Sequence, residues 1–309
     1  MFECLVIDWL MEASTVAVAT RLRCSWDQID GIRSRAVARG LDRRDSADKP
    51  EIFEHIAIDE TSFQKRHEYV TIVSDATSGR VLHVADDRTR ETLDGIFWDM
   101  PFEQVFGIKS VSMDMWGPYI EVTKDHIEDA EAKICFDRFH IAAYFNKGVN
   151  DVRKAEHRKL SSSGDDRLKK TRYLWLKNEE NLSPSDYNRF SELKNQALKV
   201  AQAWAMKETA RGLWSYVTRG WARRAWTKLI DWMRESALTP MVKLAETLER
   251  HLEGILNAIV LRRTNAMAES TNGRVQMLKK RACGYRNRDR FRDAIYFHFG
   301  GLDLKPRVA

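Results

Sequence analysis

Two aspartates lie at the ends of predicted strands, where they could share a metal ion. Asp59 ends the apolar strand predicted at 55–59, and Asp114 ends the strand predicted at 108–114. In a mixed sheet, strand ends open onto a crevice, and two carboxylates that meet there repel each other unless a cation compensates them. Carboxylate oxygens suit Mg²⁺, with Mn²⁺ as the alternative, and leave coordination positions for substrate phosphates.

A third acid, Glu269, could complete a two-metal site. It lies near the start of a predicted helix, in the segment 265–272. A pair of ions held by three acids activates a water or hydroxyl and stabilises the leaving oxygen of an in-line phosphoryl transfer. An acid early in a helix also suits ordinary compensation of the helix dipole. The spacing of the three acids alone leaves both interpretations open.

Positive charge is concentrated around Glu269. The 309 residues hold 51 Lys and Arg against 45 Asp and Glu, a net charge of +6, yet ten basic and only two acidic residues fall within 258–292. A basic stripe on a nearly neutral body indicates a polyanion such as double-stranded DNA, although a solvated helix face has the same composition. The candidate DNA contacts in and beside this stripe are Asn272, Arg274, Lys279, Lys280, Arg281 and Arg286.

Several classes of protein are excluded by what the sequence lacks. The four cysteines contain no C-x-x-C pair, which argues against a zinc ribbon and a disulfide framework. No apolar run approaches the ~20 residues that cross a membrane, and no export signal is visible at the start. We therefore expect a cytoplasmic, nucleoid-associated protein with no membrane partner.

The elements that must position the acids follow from the periodicity. Residues 1–48 are predicted to be helical, and the capping box at Ser25 and Gln28 starts the second helix of either a helix-turn-helix or an ordinary helical hairpin. A linker is predicted at 42–50. Three antiparallel strands then precede alternating helices and strands, which gives a mixed α/β sheet. The strands are predicted at 55–59, 69–73, 80–85, 108–114 and 133–137, and the helices between them at 90–100 and 117–126.

From about residue 142 to 252 the strand signals stop. This segment is helical in period and holds six of the ten tryptophans. Packing between amphipathic helices is the favoured role for them, with stacking on bases or wedging into DNA as the alternative. Residues 255–281 are predicted to be helical again.

The set of motifs resembles the DDE transposases of bacterial insertion sequences, and within them the insertion-sequence L-three (ISL-three) family. The resemblance covers roughly residues 50–300. The motifs that carry it are Ile58-Asp59-Glu60-Thr61-Ser62-Phe63, Ser112-Met113-Asp114-Met115-Trp116, Phe136-Asp137-Arg138-Phe139-His140, Asn265 to Asn272 with Glu269, Lys279, and Gly284-Tyr285-Arg286-Asn287.

The resemblance implies a ribonuclease-H-like α/β fold with a large helical insertion and an N-terminal helical segment. Asp59, Asp114 and Glu269 then become the metal-binding catalytic triad, with Asp137 and His140 in support. The implied division is a helix-turn-helix-like segment at 1–48, a first part of the catalytic core at 52–150, the Trp-rich insertion at 151–254, and the last part of the core at 255–309. The implied enzyme is a Mg²⁺-dependent transposase that cuts element ends, joins them to target DNA and works as a homodimer or higher oligomer.

The sequence departs from the family at its front. Members typically begin with a zinc-binding segment and a longer DNA-binding region, whereas this sequence starts within the last helical part of that region. A truncated, non-catalytic DNA-binding remnant is therefore the alternative. Another ribonuclease-H-like nuclease, such as a junction resolvase, is a weaker one, because simple resolvases do not need a long Trp-rich insertion.

Overall fold

The computed structural model describes residues 1–64, 68–196, 198–263 and 265–307. The chain divides into two compact units, Met1–Ile134 with Thr264–Ala309, and Cys135–Arg263. In the described part of the chain, no helix is both long and apolar enough to cross a bilayer.

A five-stranded mixed sheet organises the fold. Its order is β3-β2-β1-β4-β5, with antiparallel pairing of β1 with β2 and of β2 with β3, and parallel pairing of β1 with β4. The three predicted antiparallel strands are thus confirmed, as is the mixed α/β class, but the predicted end of the first strand at Asp59 is wrong, because β1 continues to Gln64. The strands are β1 (His55–Gln64), β2 (Glu68–Asp75), β3 (Val81–Asp86), β4 (Ser110–Met113) and β5 (Ile134–Phe136).

Strand β1 changes character along its length. Ile56, Ala57 and Ile58 are all buried, because this half of the strand is flanked by β2 and β4 and covered on both faces. Strand β1 pairs with β4 from His55 to Ala57. The half-buried Asp59 therefore lies where β1 runs on beyond the paired part of β4.

The N-terminal helices belong to the core of the first unit. Ile7, Val18 and Ile29 join one apolar cluster with Val70 of the sheet and Phe291 near the C-terminus. The predicted capping box is present, since Ser25 accepts from the Gln28 amide and Gln28 accepts from the Ser25 amide. The helices up to the end of the sheet are α1 (Phe2–Glu12), α2 (Thr15–Leu22), α3 (Trp26–Asp45), α4 (Arg90–Asp99), α5 (Phe102–Gly107), α6 (Gly117–His126) and α7 (Ala130–Lys133).

Helix α3 extends four residues into the predicted linker. Arg43 donates to the carbonyls of Asp303 and Lys305, and Arg44 donates to the carbonyl of Leu82. These contacts hold the last turn of the helix, and its charged sequence gave no sign of them. Residues 46–54 contain no helix or strand.

Beyond β5, the described residues of the second unit form helices joined by loops and contain no strand. Trp175, Phe190 and Trp204 form an aromatic cluster with centroid separations of 5.3 and 5.0 Å, and Trp226 is fully buried, so these tryptophans pack the core. Trp221, 62% exposed, does not. The helices of this unit are α8 (Arg138–Ser162), α9 (Arg172–Leu176), α10 (Pro184–Lys194), α11 (Lys199–Leu213), α12 (Arg219–Glu235), α13 (Thr239–Arg250) and α14 (Leu252–Val260).

The predicted helix at 255–281 is interrupted. Helix α14 ends at Val260, and Arg262 has a φ of 51°, a left-handed conformation that a helix cannot continue through. The chain then returns to the first unit with α15 (Ala266–Arg281) and α16 (Arg288–Phe299). The break separates the second unit from the helix that carries Glu269.

Candidate active site

Asp59 and Asp114 are neighbours because β1 and β4 are parallel and in register. Ala57 pairs with Ser112, so Asp59 and Asp114 each lie two residues beyond the last recorded pair. Side chains two residues apart on a strand point to the same face. The register therefore brings together two carboxylates that the sequence separates by more than fifty residues.

Each of these carboxylates is oriented by the next backbone amide. The Glu60 N–H donates to Asp59 Oδ1 over 2.8 Å, and the Met115 N–H donates to Asp114 Oδ1 over 2.7 Å. The two aspartates thus share one local geometry, in which the amide that follows fixes one oxygen.

Helix α15 lies along the same stretch of β1. Asn272 donates to Asp59 Oδ2 over 2.6 Å, Gln276 donates to the Thr61 hydroxyl, and Lys279 donates to the Ser62 carbonyl over 2.8 Å. The three helix residues follow one another at the spacing of a single helix face. Their contacts advance along β1 in the same direction, so helix and strand run side by side.

Glu269 belongs to that face of α15. It lies three residues before Asn272, and residues three apart on a helix are neighbours on its surface. Glu269 is therefore placed one turn from the Asn272–Asp59 hydrogen bond. Among the residues that the structure describes, no three His, Cys, Asp or Glu side chains already form a group that could hold a metal ion. The structure thus brings Asp59 and Asp114 together and leaves Glu269 a turn away.

The pKa of Glu60 responds to the negative charge at this edge of the sheet. Burial raises its pKa to about 7, Arg88 opposes the shift, and the charges of Asp59 and Asp114 add to it. Arg88 forms an ion pair with Glu60, with 2.8 Å between Nε and Oε1. Because Thr61 faces α15, its neighbour Glu60 points to the opposite face of β1, so the field of the two aspartates extends through the strand.

The residues behind β1 form a network that sequence reasoning missed. Arg88 lies 4.4 Å from the centroid of the Trp116 ring, and Trp116 meets Tyr119 edge-on at 4.6 Å. The Tyr119 hydroxyl is 2.8 Å from Thr71 Oγ1. In the sequence, the only sign of this network was Trp116, which follows Asp114 by two residues in one of the motifs that carried the family resemblance.

Asp137 and His140 belong to the second unit. Asp137 caps helix α8, since its Oδ1 accepts from the Phe139 amide over 3.2 Å, and it is only 4% exposed. Its Oδ2 is 3.8 Å from His140 Nε2, which is an ion-pair distance but too long for a hydrogen bond. The two predicted supporting residues are therefore neighbours at the start of one helix.

The predicted DNA contacts differ in how they are engaged. Lys279 is half-buried against Ser62, and burial lowers its pKa. Arg274 donates to the Thr271 hydroxyl, and Arg281 donates to the Glu12 carbonyl. Lys280 and Arg286 are exposed. Arg274 and Arg281 are exposed as well, so four of the predicted contacts are accessible to a polyanion.

Comparison with known proteins identifies the family of this chain. Residues 56–295 match the family model of ISL3-type DDE transposases, which is described as a transposase. The chain is 29% identical over 289 residues to the transposase for insertion sequence element IS1001 of Bordetella parapertussis, covering 91% of this chain and 69% of that protein. It is 27% identical over 306 residues to the transposase for insertion sequence element IS1557 of Mycobacterium tuberculosis (strain CDC 1551), covering 91% and 67%. The matched family region includes Asp59, Asp114 and helix α15, and the chain therefore belongs to the ISL3 family of transposases.

Proposed function

We propose that this transposase cuts DNA at the ends of its insertion sequence and joins the freed 3′-hydroxyl to target DNA. Asp59, Asp114 and Glu269 are the catalytic acids and hold divalent metal ions, with Mg²⁺ the expected ion and Mn²⁺ the alternative. The observation that carries this proposal is the in-register placement of Asp59 beside Asp114, with the face of α15 that bears Glu269 hydrogen-bonded to the same strand.

The donor set fits such ions. Two oriented carboxylates share one sheet edge, and their charge adds to the burial that raises the pKa of Glu60 on the far side of the strand. A divalent cation relieves this accumulation of negative charge, and hard oxygen donors suit Mg²⁺. When bound, the ions activate the attacking water or 3′-hydroxyl and stabilise the leaving oxygen.

The protein's own residues orient the acids. The amides of Glu60 and Met115 hold one oxygen of each aspartate, so neither side chain rotates freely. Asn272 couples Asp59 to α15, which keeps Glu269 on the strand's side of the helix. No serine or tyrosine nucleophile is required, since the attacking group is a water or a DNA hydroxyl.

DNA approaches along α15 in this proposal. The exposed Lys280 and Arg286, together with Arg274 and Arg281, neutralise phosphates near the acids. Asp137 and His140 support positioning of the DNA, and the active form is a homodimer or higher oligomer that holds two element ends.

Metal-dependent nicking tests the proposal. The substrate is a duplex made from the DNA that flanks the gene, chosen to include a terminal inverted repeat. Asp59→Asn, Asp114→Asn and Glu269→Gln should each reduce cleavage by about a thousandfold or more, because they remove the charge that holds the ions. DNA affinity should be unchanged or slightly higher.

Glu121→Gln is the matched control. Glu121 is an exposed acid on α6 that pairs with Arg90, so its variant should cut normally. Cleavage that survives in one of the three triad variants would remove that residue from the site. A wild-type chain that binds the repeat and never cuts it would favour the non-catalytic remnant.

A further inference from the structure

A cavity of about 710 Å³ lies in the first unit, away from the acids. We call it the N-terminal cavity. It is lined by the end of α1 and the start of α2, by α3, by the end of α15, by the loop 283–287 and by α16. Its volume is that of pockets which enclose a small molecule or an extruded base.

The charge of the N-terminal cavity favours an anion. None of its lining residues is Asp or Glu. Arg33 and Arg290 are paired with the buried Asp30, and Arg290 also with Asp27, which leaves the exposed Arg281 and Arg286 as the surplus cations of the lining. Burial, with the charges of Arg33 and Arg281, lowers the pKa of His298 to about 4, so its imidazole is neutral at physiological pH.

Helix α2 adds to this field. Its first residues Thr15 and Val16 line the cavity, and the N-terminal amides of a helix favour negative charge. The Ser14 side chain is occupied as the cap, accepting from the Ala17 amide. Helix amides and arginine side chains thus converge on one space.

Two aromatic rings line the same cavity. Trp26 carries the Arg290 guanidinium 4.6 Å from its ring centroid. Tyr285 packs against Phe291 with centroids 5.1 Å apart, which fixes its ring from the core side. Rigid aromatic side chains beside arginines are the combination that stacks an unpaired base and neutralises its phosphate.

Helix α15 connects the N-terminal cavity to the acids. Glu269 is in its first turn and Arg281 ends it, a distance of about 18 Å along the axis. A stacked DNA strand advances about 3.4 Å per nucleotide. A strand that follows the helix therefore reaches the cavity about five nucleotides from the acids.

We infer that the N-terminal cavity is a second DNA subsite that holds one unstacked nucleotide of the bound strand. The base stacks on Tyr285 and Trp26, and its phosphate is bound by Arg281 and Arg286. This inference rests on the proposed DNA-cutting function, since the strand is the one that leaves the acids along α15.

Binding without metal tests the subsite separately from cleavage. The probes are a perfectly paired 20-base-pair duplex and the same duplex with one unpaired 2-aminopurine, both in EDTA. The full chain should bind the bulged duplex about tenfold more tightly, the order expected for one base–aromatic stack, and stacking should quench the 2-aminopurine fluorescence.

Variants locate the effect. Tyr285→Ala and Trp26→Ala should each remove the preference while leaving affinity for the paired duplex within about twofold. Tyr285→Phe and Trp26→Phe keep the rings and should keep the preference, which guards against a folding defect in the alanine variants. Trp98→Ala is the matched control, because Trp98 is 76% exposed on α4 and does not line the cavity.

Three outcomes would overturn the inference. Equal affinity for the two duplexes would contradict the inferred subsite but not the proposed cleavage function. If the preference for the bulged duplex is lost in Trp98→Ala as well, the unpaired base does not bind in the N-terminal cavity. If Tyr285→Ala changes the oligomeric mass, and the wild type shows no preference for the bulged duplex, the cavity is a contact with a second copy of this chain. No binding to either duplex would instead contradict the proposed function itself.

Discussion

Asn272 and Asp59, 213 residues apart in the sequence, are joined by a hydrogen bond of 2.6 Å from Nδ2 to Oδ2. The bond sets the position of α15 on β1 and so determines where Glu269 lies. It also occupies an oxygen of the acid that should hold a metal ion. The amide of Asn272 therefore stabilises the site before any ion arrives.

Replacing Asn272 by Asp should make folding dependent on a divalent cation. The new carboxylate would face Asp59, and two adjacent negative charges repel. We expect a lower melting temperature in EDTA and a larger stabilisation by Mg²⁺ or Mn²⁺ than in the wild type, measured by thermal unfolding. Gln276→Glu, one turn further along the same face, is the control and should be destabilised to the same extent with or without the ion.

The pH dependence of stability should carry a contribution from His83. Burial lowers its pKa from 6.5 to about 4, and the charge of Arg44 adds to the shift. Below pH 6.5 the unfolded chain binds a proton that the folded state excludes. The contribution of His83 is therefore fully present above pH 6.5 and is lost as the pH falls toward 4.

The variant His83→Gln isolates this contribution. Between pH 7 and pH 4.5 the wild type should lose about 2 kcal/mol more unfolding free energy than the variant, from 1.36 kcal/mol per unit of pKa shift. Urea titrations at the two pH values measure the difference. Parallel losses in both proteins would show that His83 is protonated in the folded state.

Neighbouring lysines on α15 should respond differently to charge reversal. Lys280 is exposed, so Lys280→Glu should weaken binding to all DNA sequences and reduce the log–log salt slope by about one unit per lost phosphate contact. Lys279 is hydrogen-bonded to the Ser62 carbonyl, so Lys279→Glu should mainly lower the melting temperature. DNA affinity measured at several salt concentrations distinguishes the two variants. An unchanged salt slope in Lys280→Glu would show that Lys280 is solvated and does not contact a phosphate.

Cys283 offers a chemical probe of the N-terminal cavity. It is exposed and lines the cavity, whereas Cys135 is buried and burial raises its pKa to about 12. Iodoacetamide should therefore modify Cys283 rapidly, and bound bulged duplex should slow the reaction by about tenfold. Mass spectrometry of the digested protein follows the label, and Cys283→Ser should abolish the fast phase. A label that enters equally fast with and without DNA would contradict occupancy of the cavity.

The sequence was informative about the acids on strands and less so about what surrounds them. A carboxylate at the end of a predicted strand is a local signal: Asp59 follows an apolar run, and Asp114 follows a segment in which polar and apolar residues alternate. Their juxtaposition depends on the pairing of Ala57 with Ser112, which hydrophobic periodicity does not specify. Glu269 was a candidate from its place early in a helix within the basic segment, the family resemblance added it to the triad, and its catalytic role remains a prediction.

Other features were invisible because distant segments create them. The end of α3 is held by carbonyls near residue 304, and helical periodicity cannot show the left-handed turn at Arg262. The N-terminal cavity draws its lining from both ends of the sequence. Local patterns predict elements, whereas sites assembled from remote segments appear only once the chain is folded.

The first unit is built from two separate stretches of the sequence, and this sets the order in which its acids are synthesised. Asp59 and Asp114 leave the ribosome early, while Glu269 follows only after the whole of Cys135–Arg263. At about 5–20 residues per second, helix α15 is synthesised on the order of ten seconds after these two aspartates. The second unit can fold on the ribosome during that interval, so with the proposed triad a nascent chain should remain unable to cut DNA until helix α15 has been synthesised.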